Sequence, residues 1–350
     1  YSGSLNRSLD RTVDLWEHIL TSPRFNDTTR LRTLLGDYVH SLQTSMVDSG
    51  HSYASTLGAA KLTGRGKVDE IWNGVTQFNF AKSLLEMEDL TPLSEKLQEL
   101  STFILDPSRV KFAVNAQASA FDKVESRLSG LLSKFTSASH GAAHALPHER
   151  LLIDDPLNTL SNDPRHIYFG LQTQVHYVTR TFKSVPYHDP DYTKLAVLSV
   201  VMAPNFLHKE IREKGGAYGS GLRSGSGLLT FYSYRDPNVN ETLSAFNRGI
   251  EWILNGEFTQ EHLEEAKRQI FSDLDAPVVP SKKGLLFFQT EITDEMTQTH
   301  RDRIFAVTRD DVVDVCKRFL GNDNPSAVVV FGSDQTADFK NHPEWLYRDH

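Results

Sequence analysis

Residues 206–221 read FLHKEIREKGGAYGSG, and the order of elements in this stretch indicates the class of fold. A helical pattern comes first, the glycines Gly215 and Gly216 reverse the chain, and strand-like residues follow. A dinucleotide-binding loop needs the opposite order, with a strand before the glycines and a helix after them, so that phosphate meets a helix N-terminus. The stretch therefore predicts a reversal from helix to strand and excludes a nucleotide loop here.

The flanking sequence places strands on both sides of helices. Apolar and polar residues alternate over 167–182, which predicts one long or two short strands, and 228–234 predicts another strand region. Between them Asp191 or Thr193 is expected to cap a helix, which Pro204 must end or kink because proline lacks an N–H. This arrangement predicts an α+β fold and not a regular βαβ array.

Two parts of the chain repeat one pattern of helices and stops. Matching apolar faces are Leu9, Val13, Trp16 and Leu20 in the first copy and Leu243, Phe246, Ile250 and Ile253 in the second. The helices that follow are expected to start at the caps Asn26 and Thr259 and to bury Leu31, Leu35, Tyr38 and Leu42, or Leu263, Ala266 and Ile270. A later pair carries Leu97, Leu100 and Ile104, or Val312, Val315 and Phe319, and leads into the predicted strands 110–114 and 327–331.

The repeat predicts two related domains, each a mixed, mostly antiparallel sheet packed with helices. The first covers 1–135 and the second 165–350, and the polar, Pro-containing segment 136–164 is the predicted linker. Only a few residues precede the first shared helix in copy one, whereas strands and a helix precede it in copy two. We therefore expect the chain to begin partway through its first domain, as a fragment of a longer protein.

Composition excludes several classes of function. The chain carries 37 basic and 45 acidic residues, a net charge of −8, which argues against a dedicated nucleic-acid binder. No apolar run approaches the length of a membrane span. The one cysteine, Cys316, excludes an intrachain disulfide or a cysteine metal cluster, and it is expected to be buried on a core-facing helix.

No zinc-hydrolase motif is complete in this sequence. His262 begins an HLEEA run in which Ala266 stands at the position of the second ligand in an inverted H-x-x-E-H motif, and His208 has no partner four residues away. In the linker, His140, His144 and His148 have helical spacing, but Gly141 and Pro147 weaken a helix there and favour a solvated loop. We therefore expect no metal ligand in this chain.

Arg212 and Tyr218 are the strongest candidates for chemistry. Arg212 suits the last turn of a helix, where a cation interacts with the helix dipole, and this alone could explain it. Tyr218 lies just past the Gly-Gly reversal among residues small enough to let another chain approach. A phenol donor beside a guanidinium could hold a peptide carbonyl or a developing oxyanion.

The 206–221 segment resembles the mitochondrial presequence protease family within the pitrilysin and insulinase group of inverted-zincin metallopeptidases. The resemblance continues through residues 230–238 (TFYSYRDPN), 275–278 (DAPV), 293–296 (TDEM), 304–307 (IFAV) and 48–51 (DSGH), and is weakest in the linker. Pro204, inside the helix leading to the motif, is a departure from the family's pattern.

The resemblance implies that the chain is most of the C-terminal half of a two-half clamshell, containing the third and fourth peptidase-like domains. Zinc and its general base would lie in the N-terminal half, which is absent here, and this fragment alone is expected to be inactive. Arg212 and Tyr218 would reach across the chamber, with Tyr218 donating to the scissile carbonyl and Arg212 holding the substrate backbone.

The implied partners are peptide substrates and the N-terminal half of the same polypeptide, and the implied location is the mitochondrial matrix. The function would be degradation of unstructured peptides such as cleaved targeting peptides. One alternative stays open at this point: a non-catalytic, protease-like scaffold or peptide-binding subunit, which would keep the fold without needing the reactive pair.

Overall fold

A computed structural model describes residues 2–135, 166–334 and 337–349. They form two compact units. The helical unit comprises 2–38, 82–135 and 277–293, and the sheet unit comprises 39–81, 166–276, 294–334 and 337–349. The predicted linker 136–164, with His140, His144 and His148, lies outside the described residues.

Helices account for most of the described secondary structure. The α-helices are α1 (Leu9–Thr21), α2 (Thr28–Asp48), α3 (Gly50–Ala60), α4 (Gly64–Asn73), α5 (Val75–Leu85), α6 (Thr91–Ile104), α7 (Phe121–Leu132), α8 (Pro190–Met202), α9 (Val239–Leu254), α10 (Gln260–Leu274), α11 (Leu285–Thr290), α12 (Asp294–Ala306), α13 (Arg309–Leu320) and α14 (Ala337–Lys340). A π-helix, Ala203–Lys214, continues α8, and short 3₁₀ turns occupy Asn6–Ser8, Pro107–Arg109, Ala118–Ala120 and Pro280–Lys282. No helix in the described ranges combines the length and the apolar character needed to cross a bilayer.

The described strands form one mixed sheet in the sheet unit. They are β1 (His166–Leu171), β2 (Tyr177–Lys183), β3 (Gly219–Gly225), β4 (Leu228–Tyr234), β5 (Ser326–Ser333) and β6 (Leu346–Asp349), in the spatial order β3-β4-β2-β5-β1-β6. The pairs β3–β4, β4–β2 and β2–β5 are antiparallel, whereas β5–β1 and β1–β6 are parallel. The predicted α+β class with a mixed, mostly antiparallel sheet is confirmed, and the 167–182 region forms two short strands.

Helices cover both faces of this sheet. Alternation along β2 sends Val178 and Phe182 into a core shared with α8, α9, α10 and α13. Thr181 points to the opposite face, where it lies against Gly58 of α3, and a Cβ on Gly58 would be only 3.0 Å from its hydroxyl. The sheet is therefore the middle of three layers, with β3 and β4, which lead to and from the candidate site, at one end.

The repeated apolar faces are confirmed for the first helix of each copy. In α1, Val13 is buried against Leu131 and Phe135, and Leu9, Trp16 and Leu20 pack around this cluster. In α9, Phe246, Ile250 and Ile253 are buried, and Gly256 follows the helix with φ +66°, the left-handed conformation typical of a residue just past a helix end. Thr259 caps α10 as predicted.

Other local predictions were wrong. Residues 110–114 form no strand, because their apolar side chains Val110 and Phe112 pack on the α1 cluster and no strand within the described residues pairs with them. The predicted buried positions Leu100 and Ile104 of α6 are exposed. In α2 the buried residues are Val39 and Met46, while Tyr38 is exposed.

Two predicted helix caps are displaced. Asp189, and not Asp191 or Thr193, caps α8, because its carboxylate accepts from the backbone N–H of Asp191 at 2.8 Å. Asp27, and not Asn26, accepts from the N–H of Arg30 at 2.9 Å at the start of α2. In both cases an acidic residue earlier or later than the predicted one has the extended backbone that lets its side chain reach back to the first turn.

Candidate functional site

Arg212 lies in the last turn of the π-helix Ala203–Lys214. Helix α8 ends at Met202, and Pro204 cannot continue its hydrogen-bond ladder because it has no N–H. The side-chain amide of Asn205 compensates by donating to Val201 O at 2.9 Å. Long π-helical segments are rare, and shorter π-bulges are often found at functional sites. The wide helix leaves the Arg212 side chain exposed at its C-terminal end, where a cation is electrostatically favoured.

The reversal after the π-helix requires glycine at two positions. A Cβ on Gly215 would lie 2.6 Å from Ile211 O, which is closer than side chains approach backbone oxygen. Gly216 has φ +83°, the left-handed region that glycine adopts without strain. The N–H groups of Gly216 and Ala217 then donate to the terminal carbonyls of Arg212 and Ile211, both at 3.1 Å. This turn delivers the next residue, Tyr218, to the surface.

Tyr218 stands beside Arg212 with its side chain in solvent. It is 70% exposed, and Arg212 Cζ lies 6.0 Å from the centroid of its ring. The ring of Tyr234 meets it edge-on at 5.8 Å and 70°, which steadies the phenol from one side. Within the described part of the chain, neither the Tyr218 hydroxyl nor the Arg212 guanidinium is engaged by a hydrogen-bond or ion-pair partner. The structure thus brings the two predicted site residues together and leaves their polar groups available.

A second set of residues surrounds this pair that the analysis of the sequence assigned no role. Tyr234 and Arg235 follow one another at the end of β4, and Arg235 Nη2 lies 3.7 Å from Asp48 Oδ1. Arg235 has φ +51°, which is unusual for a residue with a side chain. The signal that could have revealed these residues is the TFYSYRDPN run itself, in which Tyr232 and Tyr234 share one face of a strand.

The nearby histidines do not form a metal or acid–base site. His51 lies against Tyr234, with ring centroids 4.9 Å apart, and burial, helped by the charge of Arg223, lowers the pKa of His51. His208 Nε2 lies 2.9 Å from Ser220 O, while Ser220 Oγ donates to Leu207 O at 3.1 Å. His208 therefore ties the π-helix to β3.

The remaining motif residues have structural roles. His262 Nδ1 accepts from the N–H of Thr259 at 3.3 Å in a reciprocal cap of α10, so this imidazole belongs to the helix start. In residues 2–135, 166–334 and 337–349, no three His, Cys, Asp or Glu side chains are grouped as metal ligands would be. Cys316 is fully buried as predicted, and burial raises the pKa of its thiol to about 12.

Comparisons with known proteins match nearly the whole chain. The family model for the associated region of subfamily C of the M16 peptidases matches residues 1–84, and the "PreP C-terminal domain" model matches residues 167–332. The mitochondrial presequence protease of Danio rerio is 37% identical over 360 residues, covering 99% of this chain and 35% of that protein. The chain belongs to the presequence protease family of M16 peptidases. The mouse member of the family, from Mus musculus, is 32% identical over 366 residues, covering 98% of this chain and 35% of that protein.

The chain spans about a third of the length of these relatives, since it covers 35% of each. Solved structures agree on the fold. A protease from Helicobacter pylori matches with TM-score 0.63 and 14% identity, over 93% of this chain and 77% of that one. The peptidase M16 inactive domain from Pseudomonas fluorescens matches with TM-score 0.58 and 15% identity, over 95% of this chain and 77% of that one. The family resemblance inferred from the motifs is confirmed.

Proposed function

We propose that this chain is the C-terminal, substrate-clamping part of a zinc metalloendopeptidase that degrades unstructured peptides. The substrates would include cleaved targeting peptides in the mitochondrial matrix, in line with the name of the relatives, "Presequence protease, mitochondrial". One observation carries the proposal: the Tyr218 phenol and the Arg212 guanidinium stand side by side, exposed, at the end of a stiff reversal.

The two side chains suit different parts of one extended peptide. A phenol O–H is a single donor, suited to the oxygen of a scissile carbonyl as negative charge develops on it. A guanidinium presents several donors in a fixed plane, suited to neighbouring backbone carbonyls or a carboxylate. Tyr218 would therefore act on the reacting carbonyl, whereas Arg212 would hold the adjacent peptide in register.

The described residues do not fit a zinc centre, since no group of three metal-ligating side chains occurs among them. We propose that zinc and the general base come from the N-terminal half of the same polypeptide, outside this chain. This chain by itself would then hold no stoichiometric zinc and cleave no peptide. We also propose that residues 1–135 and 165–350 are two related domains that together form one half of the enclosing chamber.

Replacing Tyr218 by Phe in the full-length enzyme tests the proposal. Loss of one oxyanion donor is expected to lower kcat by about 10²–10³ with a smaller change in KM, because the donor acts mainly in the transition state. Tyr192→Phe is the matched control, because Tyr192 belongs to a separate aromatic group with Tyr187 and His300. Turnover by Tyr218→Phe equal to that of the control would remove Tyr218 from the mechanism.

The alternative of a non-catalytic scaffold or peptide-binding subunit predicts a different outcome. A scaffold would bind peptide through Arg212 and Tyr218 without turning it over, so both the wild type and Tyr218→Phe would lack activity while peptide affinity changed. Peptide cleavage by the full-length wild-type protein, measured with a fluorogenic unstructured peptide, separates the two functions.

A further inference from the structure

The run Arg235-Asp236-Pro237-Asn238 lies directly against the reversal that carries Tyr218. The backbone N–H of Tyr218 donates to Tyr234 O at 3.0 Å and approaches Arg235 O at 3.4 Å. The Pro237 ring lies on the other side of the reversal, 3.6 Å from where a Cβ on Gly216 would stand. The position of the phenol therefore depends on a loop some 16 residues further along the chain as well as on its own turn.

Asn238 makes the decisive contact. Its side-chain Nδ2 donates to Gly215 O at 3.0 Å, so it holds the carbonyl at the centre of the Gly-Gly reversal. Asn238 is also the N-cap residue of α9, a position where an Asn side chain ordinarily accepts from the first turn of its own helix. Here it makes no such bond. The side chain is used across the fold instead of locally, which helix capping does not explain.

Asp236 fixes the geometry from which Asn238 reaches. Its carboxylate is 1% exposed and accepts from the Asn238 N–H at 2.8 Å and from Thr242 Oγ1 at 2.6 Å. Its backbone pairs with His176 through two hydrogen bonds of 2.8 Å, which joins the loop to the residue preceding β2. A buried, fully engaged carboxylate is a rigid anchor, so the loop is held by both the sheet and α9.

We propose that Asn238, anchored by Asp236, is a positioning residue that holds Tyr218 in its catalytic orientation. This inference deepens the proposed function and rests on it. Removing the Asn238 amide would leave Tyr218 in place as a residue but free the reversal to fluctuate, so the phenol would meet the reacting carbonyl less often. The loss should appear in kcat, because ground-state binding of peptide by Arg212 does not need the phenol in one orientation.

The test is Asn238→Ser in the full-length enzyme. Serine is a good N-cap but is too short to reach Gly215, so α9 should keep or gain stability while the brace is lost. We expect kcat to fall about tenfold with KM changed less than about twofold. Hydrogen exchange of the segment 215–218 should become several-fold faster, because the Tyr218 N–H is protected by the same arrangement. Combining Asn238→Ser with Tyr218→Phe should cost little beyond Tyr218→Phe alone.

Thr259→Ala provides the control for a merely structural effect. It removes the side-chain cap of α10 and should lower the melting temperature while leaving kcat and the exchange of 215–218 unchanged. Unaltered exchange in Asn238→Ser, or an equal loss of kcat in the wild-type and Tyr218→Phe backgrounds, would overturn the positioning role. If Tyr218→Phe alone retains full turnover, the proposed function fails, and the exchange measurement still decides whether Asn238 holds the reversal.

Discussion

Replacing Glu70 by Gln tests how one buried carboxyl links the stability of the sheet unit to pH. Glu70 is 1% exposed in α4, and its Oε1 accepts from the N–H and the hydroxyl of Thr76 at 3.1 and 3.3 Å. Its Oε2 is buried without a hydrogen-bond partner in the described structure and lies against Gly74, where a Cβ would be 1.9 Å away. Burial raises the pKa of Glu70 from 4.5 to about 7, although Thr76 and the charge of Arg348 oppose the change.

The direction of the effect follows from comparing the folded and unfolded chains. At pH values below 4.5 the carboxyl is protonated in both states. As pH rises towards 7, the unfolded chain releases its proton while the folded chain retains it, which favours unfolding. The stability that the protonated group contributes is therefore complete at low pH and is lost as pH rises through the folded pKa. Between about pH 5 and about pH 8.5, this linkage costs the wild type about 2.5 kcal/mol.

Glu70→Gln removes this linkage because an amide does not titrate in this range. The assay is urea unfolding followed by tryptophan fluorescence at a series of pH values, with the wild type, Glu70→Gln and the exposed control Glu251→Gln. The free energy of unfolding of the wild type and the control should fall relative to that of Glu70→Gln by about 2.5 kcal/mol as pH increases across this range. Parallel pH profiles for all three proteins would show that Glu70 titrates alike in both states and would refute the reasoning.

Two further predictions concern packing and thiol chemistry. Gly50→Ala should lower the free energy of unfolding by about 1–3 kcal/mol, because its Cβ would meet the Tyr177 ring at 2.3 Å; Gly36→Ala, with nothing within 4 Å, should raise it by about 0.5–1 kcal/mol, and equal effects in urea unfolding would contradict this difference. Cys316 should react with a thiol reagent only after unfolding, because the thiol is buried and its pKa is raised to about 12; rapid labelling of the native chain, read by absorbance, would show that the site opens.

Features of the fold that depend on neighbours in sequence were predictable. The apolar faces of α1 and α9, the stop at Gly256 and the cap at Thr259 follow from helical periodicity and from the local chemistry of helix ends. The helix–glycine–strand order around Tyr218 was predictable for the same reason, since a Gly-Gly pair reverses a chain through its own backbone freedom. Family motifs then assigned Arg212 and Tyr218 their roles.

The predictions that failed needed information about distant partners. Residues 110–114 have the composition of a strand, but a strand exists only where another strand pairs with it. The apolar positions Leu100 and Ile104 of α6 have helical spacing, yet spacing does not say which face meets a core. Displaced caps at Asp27 and Asp189 show the same limit over one or two residues, since several nearby side chains could have capped each helix.

The sequence by itself determined the class of fold, the helix-to-strand reversal and the two side chains proposed to act on a peptide. These depend on periodicity, on glycine's backbone freedom and on residue types within one short stretch. Only the tertiary structure decided the order of strands, the burial of Glu70 and the reach of Asn238 across to Gly215. The physical reason is that burial and long-range hydrogen bonds belong to pairs of residues far apart in the chain, and the pattern around either residue alone does not record its partner.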